Sequence, residues 1–386
     1  MNIAIIAVAY NRIDTLRNLL QSLTRASYIE ETVTLIISVD KSDTDIVEKY
    51  AESFVWIHGE KIVAKHDVNL GLRKHMLSLG HYFNTFDALV VLEDDITVSP
   101  NFFTYTKQTV EKYYQDDRIG GISLYNFGLN YQTGRPFTPI KDENDVFFMN
   151  CAMSWGEVWM KKQWLAFYKW YSTHNDEFQV KPNLPERICQ WNNKSWLKYH
   201  TRYCIEENKY FVFPYTSLST NNGAAGEHNA NANTLQQVPL QYGQIKEYKL
   251  PSLSEKCIRY DGFFENKKLY ADNTCIDLNG SKGNRENERY WLSLKSLPYK
   301  VVKSYGLEYR PIDANVLLDI QGKDIFLYDT SINAKKPKIH KSIMLYDFRI
   351  QSIISFLRQF ETKNVIIDIF KTLNYKLKKI HIRNIL

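Results

Sequence analysis

Val90-Val91-Leu92-Glu93-Asp94-Asp95-Ile96 is an apolar run that stops in three consecutive carboxylates. Such a run reads as a buried strand, and a buried strand does not need acids at its C-terminal end for packing. Open α/β sheets bind ligands at the carboxyl ends of their strands. Hard divalent ions such as Mg²⁺ and Mn²⁺ take oxygen ligands, often one or two carboxylates completed by substrate phosphates. A solvated acidic turn after a strand would look the same in isolation, so the flanking sequence has to decide.

Upstream, strand and helix alternate. Ile3 to Val8 reads as a strand, Ile13 to Leu23 repeats apolar residues at helical spacing, and Thr34 to Val39 is a second strand ending at Asp40. Ser42 to Tyr50 suits a helix opened by Ser/Asp caps. Trp56-Ile57 and Ile62-Val63 are short strands at best, Gly71 to Tyr82 a helix, and Ala88 to Leu92 the acid-bearing strand. Pro100 to Tyr114 is a helix and Gly120 to Tyr125 a strand. This alternation predicts an α/β fold with a mostly parallel sheet flanked by helices.

Four strand-end features then fall on one edge: Ala9-Tyr10-Asn11-Arg12, Asp40, Asn69 to His75 with Arg73, and Glu93-Asp94-Asp95. Together they offer polar groups for a nucleoside, cations for phosphates and carboxylates for a metal. Neither GxGxxG nor GxxxxGK[ST] occurs, so this is a nucleotide site without a Gly-rich phosphate loop.

The order resembles the GT-A (Rossmann-like) fold of nucleotide-sugar glycosyltransferases, both bacterial family 2-type enzymes and the Golgi N-acetylglucosaminyltransferase family. The resemblance covers about residues 1–270 and is strongest from Ala88 to Phe103, where Leu-Glu-Asp-Asp-Ile precedes Ser-Pro-Asn-Phe-Phe. It implies that Asp95 binds Mn²⁺ or Mg²⁺ and that Glu93 and Asp94 hold ribose and sugar hydroxyls. It places Asn11, Arg12 and Asp40 near the nucleoside and Arg73 near the nucleotide. His228, in the small-residue loop Ser219 to Asn229, is similar to a histidine that closes over the metal–diphosphate; alone it reads as a surface histidine.

The segment Ser154-Trp155-Gly156 through Trp164 looks like the Trp-rich acceptor-side helix of these enzymes, although near-helical tryptophans serve a core equally well. The polar stretch Thr173 to Asn193 is expected to close over the site. An inverting transfer needs a carboxylate to take the acceptor's proton. Bacterial relatives carry an Asp beside a Ser-Trp pair, but Lys194 and Leu197 flank Ser195-Trp196 here. Alignment from Trp164 with the Golgi enzyme suggests Asp176 or Glu177 as base, with Glu157 and Glu186 as alternatives; each also reads as a solvated loop charge.

Whole-chain properties bound these readings. The 386 residues are 44% hydrophobic and 24% charged, which excludes wholesale disorder and a polytopic membrane protein. Met1 to Tyr10 lacks the basic n-region of a signal peptide and runs into the first strand. With five cysteines in no metal-type spacing, reduced thiols and a cytoplasmic location are expected, at the inner face of the plasma membrane if the tail binds there. Three parts are expected: 1–270, a small C-terminal region at 271–340 with strands near Tyr299 to Val302 and Val316 to Tyr328, and a tail at 341–386.

The tail carries nine Lys/Arg against three acids, an excess equal to the net +6 of the whole chain. A main body with balanced charge argues against a nucleic-acid partner. Interleaved with apolar stripes, the tail reads as basic amphipathic helices suited to peripheral contact with an anionic membrane, at about 1 kcal/mol per basic residue. Packing on the catalytic domain, or pairing with a second subunit in a homo-oligomer, would serve the same pattern. The expected partners are therefore a nucleotide-sugar donor, UDP favoured, and a saccharide or lipid-linked acceptor of surface polysaccharide synthesis. A binding scaffold that has lost catalysis is the alternative. A nucleotidyltransferase would carry a Gly-rich N-terminal loop, and Ala7 to Asn11 has no glycine.

Overall fold

The computed structural model describes residues 1–29, 31–181, 183–224, 234–283 and 288–338. His228 and the basic tail lie outside the described residues. The larger of two compact units, Met1–Trp291, opens with β1 (Ile3–Ala9), β2 (Thr34–Val39), β3 (Lys61–Lys65) and β4 (Ala88–Glu93). These alternate with α1 (Ile13–Thr24), α2 (Ile46–Ser53) and α3 (Leu72–Ser78), which runs on into a 3-10 turn. Next come β5 (Ile96–Val98), α4 (Phe102–Tyr113), β6 (Ile119–Ser123), and a small ladder of β7 (Leu129–Asn130) and β8 (Arg135–Pro136). Then follow β9 (Val146–Met149), β10 (Glu157–Met160), α5 (Lys161–Tyr171), α6 (Glu186–Cys189) and α7 (Trp196–Glu206). β11 (Tyr210–Pro214), β12 (Ser219–Asn221), β13 (Arg259–Tyr260) and β14 (Thr274–Asp277) complete the series.

The nine-stranded sheet has the order β13-β9-β11-β6-β10-β4-β1-β2-β3. β1 pairs in parallel with both β2 and β4, and β2 with β3, so four carboxyl ends share one edge as expected. Side chains of β1 alternate between two cores. Ile3, Ile5 and Ala7 pack with Leu16, Leu20 and Phe102, while Ala4, Ile6 and Val8 pack with Met76, Phe83 and Trp159. A strand covered on both faces must be apolar throughout, which is why β1 and β4 read as unbroken runs.

The Trp-rich segment departs from expectation. Glu157–Met160 is not helical but forms β10, antiparallel to β4 and β6 and seated between them. Helix begins only at Lys161. Four residues are too few for a period to separate strand from helix, and the pairing comes from residues far away in sequence. Trp159 and Trp164 stack at 3.9 Å in the core, so neither is a sugar platform. α2 also starts later than expected, at Ile46, because the Ser42 hydroxyl donates to the Thr44 carbonyl and holds a turn there. Thr173 to Asn193 is not a free lid. Buried Lys198 on α7 donates to the carbonyls of Phe178, Cys189 and Trp191 and to Asn193 Oδ1, fastening this segment down.

The larger unit runs past residue 270 because buried Glu265 accepts the backbone N–H groups of Leu278 and Asn279 at 3.0 and 2.7 Å. β15 (Tyr290–Ser293) leads into the second unit, Leu292–Leu386. There β16 (Tyr299–Tyr305) and β17 (Ile325–Asn333) pair antiparallel, beside the short α8 (Asp313–Leu317). Val316 thus lies in a helical turn rather than a strand. All five cysteines are buried and unbridged. Among the described residues no helix is long and apolar enough to cross a membrane.

Glu157 is fully buried in β10, with Oε1 3.1 Å from His200 Nδ1 on α7. Burial raises its proton affinity, opposed by His200. It is therefore a core group, removed from any acceptor in solvent. Breaking a buried pair by deleting one partner leaves the other stranded, at about 3 kcal/mol. Glu157→Ala is expected to lose about that much stability in urea unfolding, and a loss within error would show that the pair holds nothing together.

Candidate active site

The sheet register brings the site together. Val8 lies opposite Glu93 and Ala9 opposite Val39, so the loops leaving β1, β2 and β4 start at one height. From the first loop Arg12 reaches across to β4. Its Nε donates to Asp94 Oδ2 at 3.2 Å, its Nη2 donates to Asp94 Oδ1, and the same Nη2 stands 3.2 Å from Asp95 Oδ2. Arg12 therefore meets the acid triplet directly. Asn11 beside it is exposed.

Asp94 is almost fully buried, Glu93 and Asp95 partly so. Burial pushes Asp94 up to about 6 against the pull of Arg12. Burial, then the charges of Asp95 and Asp94, lift Glu93 well above the usual carboxylate range, with a Ser154 hydrogen bond and Arg12 opposing. The same acids raise the Arg12 guanidinium even though burial works against its charge. Three adjacent carboxylates with one guanidinium are short of positive charge.

A hard cation fits that deficit. Asp95 Oδ1 is buried and has no hydrogen-bond partner among the described residues. Asp95 would hold Mn²⁺ or Mg²⁺ through this oxygen, with Glu93 alongside. Among the described residues no set of three His, Cys, Asp or Glu ligands forms, so other ligands would have to come from a substrate's phosphates.

Two neighbours escape a reading of the sequence. β10 is antiparallel, so its entrance rather than its exit lies on the acid edge, and this brings Ser154 to Glu93. Gly156 turns the chain into β10 at φ 92°, where a Cβ would lie 2.8 Å from Ser219 Oγ. Trp155, half-buried, stands edge-on to Tyr125 at 5.0 Å, and its carbonyl accepts from Ser219 Oγ at 2.6 Å. The second neighbour is β12, which pairs with β5 immediately after the acids, while Asn222 N donates to the Asp95 carbonyl at 2.8 Å. The chain that leads toward His228 therefore departs from the acid site. The loop glycines gave a signal for this, but its pairing with Ile96 to Val98 did not show in the sequence.

The other expected residues have different surroundings. Asp40 accepts the N–H groups of Lys41, Leu70 and Gly71 at 2.9, 2.9 and 3.0 Å, so its carboxylate fixes the turn into α3. Arg73 lies over the Tyr199 ring at 5.1 Å with Nη1 buried, facing α7. Asp176 is bound by Arg202 at 3.1 Å and Lys181 at 3.8 Å, and these contacts outweigh partial burial to hold its pKa low. Glu177 is exposed beside it, and Glu186 accepts from Gln190 at 2.7 Å.

Residues 1–135, which carry β1 to β4 and the whole acid site, match the GNT-I family model. Over that stretch the resemblance to nucleotide-sugar glycosyltransferases holds. No curated protein matches the chain in sequence. Among solved structures, S. aureus TarS 1–349 in complex with UDP-GlcNAc aligns at 15% identity and TM-score 0.39, covering 59% of this chain and 60% of that one. GalNAc-T7 with UDP, GalNAc and Mn²⁺ aligns at 14% and 0.39, covering 56% and 42%. A mannosyltransferase from Pyrobaculum calidifontis with GDP-Man and Mn²⁺ aligns at 11% and 0.35, covering 55% and 54%. This chain thus spans well under two thirds of each. The expected mixed α/β sheet is seen in the parallel β3-β2-β1-β4 edge and the antiparallel strand beside it.

An acid whose folded pKa lies above its unfolded value binds more protons in the native state, so stability falls as pH rises between the two. Asp94, lifted from 3.8 to about 6, acts in that window, and Glu93 extends it upward. In EDTA the melting temperature of the protein is expected to fall from pH 4 to 6 relative to Asp94→Asn, and saturating Mn²⁺ to reverse the fall. Parallel pH profiles for the two proteins in EDTA would refute this.

Proposed function

We propose that this chain is a metal-dependent, inverting glycosyltransferase that moves a sugar from a nucleoside-diphosphate donor, UDP favoured, to a saccharide or lipid-linked acceptor of surface polysaccharide synthesis. One observation carries the reading. At the carboxyl edge of the part that matches GNT-I, Arg12 holds Asp94 and reaches Asp95, leaving a buried Asp95 oxygen without a partner among the described residues.

When bound, a divalent cation would neutralise the leaving diphosphate, where transition-state charge develops. The protein's own groups do the rest. Arg12 binds both oxygens of Asp94 and ties the first loop to the end of β4. Glu93, near Ser154, offers oxygens to sugar or ribose hydroxyls. Asp40 sets the course of the Leu70–Gly71 backbone next to the nucleoside. Trp155 is the tryptophan of the 155–170 group best placed to meet a sugar, since it is half-buried and Ser154 beside it lies near Glu93.

For the base, an ion-paired carboxylate is a weak proton acceptor. Asp176 is in that state, whereas Glu177 makes no ion pair among the described residues, so Glu177 is the better candidate. A basic tail at an anionic membrane would keep the enzyme beside a lipid-linked acceptor. The missing acid next to Ser195-Trp196 favours the second reading, a scaffold that binds donor without turning it over.

Asp95→Ala is expected to abolish release of nucleoside diphosphate from a UDP-sugar panel with Mn²⁺ while leaving the circular dichroism unchanged. Near-normal turnover in that variant would sink the metal-site assignment. Glu177→Gln is expected to lower kcat by about 100-fold or more with little change in donor KM, as loss of a general base does. An unchanged kcat would move the base elsewhere, and donor binding by the wild type without any release would select the scaffold.

A further inference from the structure

The cation that occupies the acid site belongs to the protein itself. The Arg12 guanidinium forks onto both oxygens of Asp94 and stands 3.2 Å from Asp95 Oδ2, leaving Oδ1 of Asp95 without a partner among the described residues. A divalent ion entering at Asp95 comes within a few ångströms of this fixed positive charge, and like charges at such range repel strongly where water is scarce. Arg12 sits at the entrance to α1, in the loop that must also face a donor's phosphates if these complete the cation's ligands. A diphosphate therefore has two effects at once. It supplies ligands to the metal, and it gives Arg12 an anion to turn toward.

We propose that Arg12 is an internal competitor for the divalent cation, which makes metal binding depend on the donor. Without nucleotide, Arg12 neutralises Asp94 and part of Asp95, and the site holds a cation weakly. With a nucleoside diphosphate present, the added negative charge offsets the repulsion and Arg12 shifts its contact from Asp95 to a phosphate. Cation and donor then enter as a unit. The binding of each strengthens the other by the same factor, as linkage requires. This inference rests on the metal-site reading of Asp95 given above.

The opposite role is physically distinct. If Arg12 only oriented Asp95, removing it would loosen the metal. A competitor gives the reverse sign, because removing it takes away the fixed positive charge that an entering divalent ion meets. The two roles therefore differ in the direction of one measured constant.

The test is Mn²⁺ binding at pH 7.5, followed by the electron paramagnetic resonance signal of free Mn²⁺, with and without UDP, on the full chain. In the wild type UDP is expected to tighten Mn²⁺ markedly. Arg12→Gln is expected to bind Mn²⁺ alone about tenfold more tightly than wild type, within the usual range of coupling factors, and to gain much less from UDP. Arg12→Lys, which keeps the charge but cannot fork, is expected to fall between them and carries the test should the glutamine variant fail to fold. Folded variants that bind Mn²⁺ alone no more tightly than wild type would overturn the proposal. Asp95→Ala separates the two readings. If it leaves Mn²⁺ binding with UDP intact, the metal site itself is misassigned and the Arg12 proposal falls with it. If it abolishes binding while Arg12→Gln fails to tighten it, only the Arg12 proposal falls.

Discussion

Three consecutive carboxylates at the end of a buried strand repel one another, and the fold tolerates them because one guanidinium lies across two of them. The contact of Arg12 with Asp94 and Asp95 joins the first loop of the chain to the end of β4. It needs β1 and β4 to be adjacent, parallel and in register, with Val8 opposite Glu93. It also needs the two apolar cores that seat β1 between α1 on one face and the α3 side on the other. Burial that raises the acids and an arginine that opposes it leave the triplet poised, with less charge compensation than a closed ion-pair network would give.

Much of this could be read in the residues. Unbroken apolar runs at Ile3 to Val8 and Ala88 to Leu92, and the mostly apolar Thr34 to Val39, belong to strands buried on both faces, and few other structures use them. Their alternation with helical periods forces parallel pairing, which in turn puts Arg12, Asp40 and Glu93-Asp94-Asp95 along one edge. What could not be read came from pairing at a distance. β10 is a four-residue strand whose neighbours, β4 and β6, lie outside any local window, and its Trp spacing imitated a helix. Ser154 came into the site only with that strand.

Charge partners were the other gap. Asp40, read near the nucleoside, also accepts three backbone N–H groups that fix the turn into α3, and these the sequence does not show. Asp176 looked like a free loop acid, but a buried arginine on α7 holds it. A sequence states which charges exist and where they lie along the chain. Which two will meet depends on helix packing, and α7 presents Lys198 and Arg202 inward from a sequence that reads as ordinary amphipathic polarity.

Lys198 has a consequence for how such a protein can diversify. One ammonium group gathers oxygens from Phe178, Cys189, Trp191 and Asn193, so the segment between α5 and α7 is anchored at several points to a single side chain. Inserting or deleting a residue there would pull at least one oxygen out of reach and leave a buried charge undersolvated. Sequence change in this segment would then proceed by exchanging side chains on a fixed backbone, with loop length held constant by the geometry of one lysine.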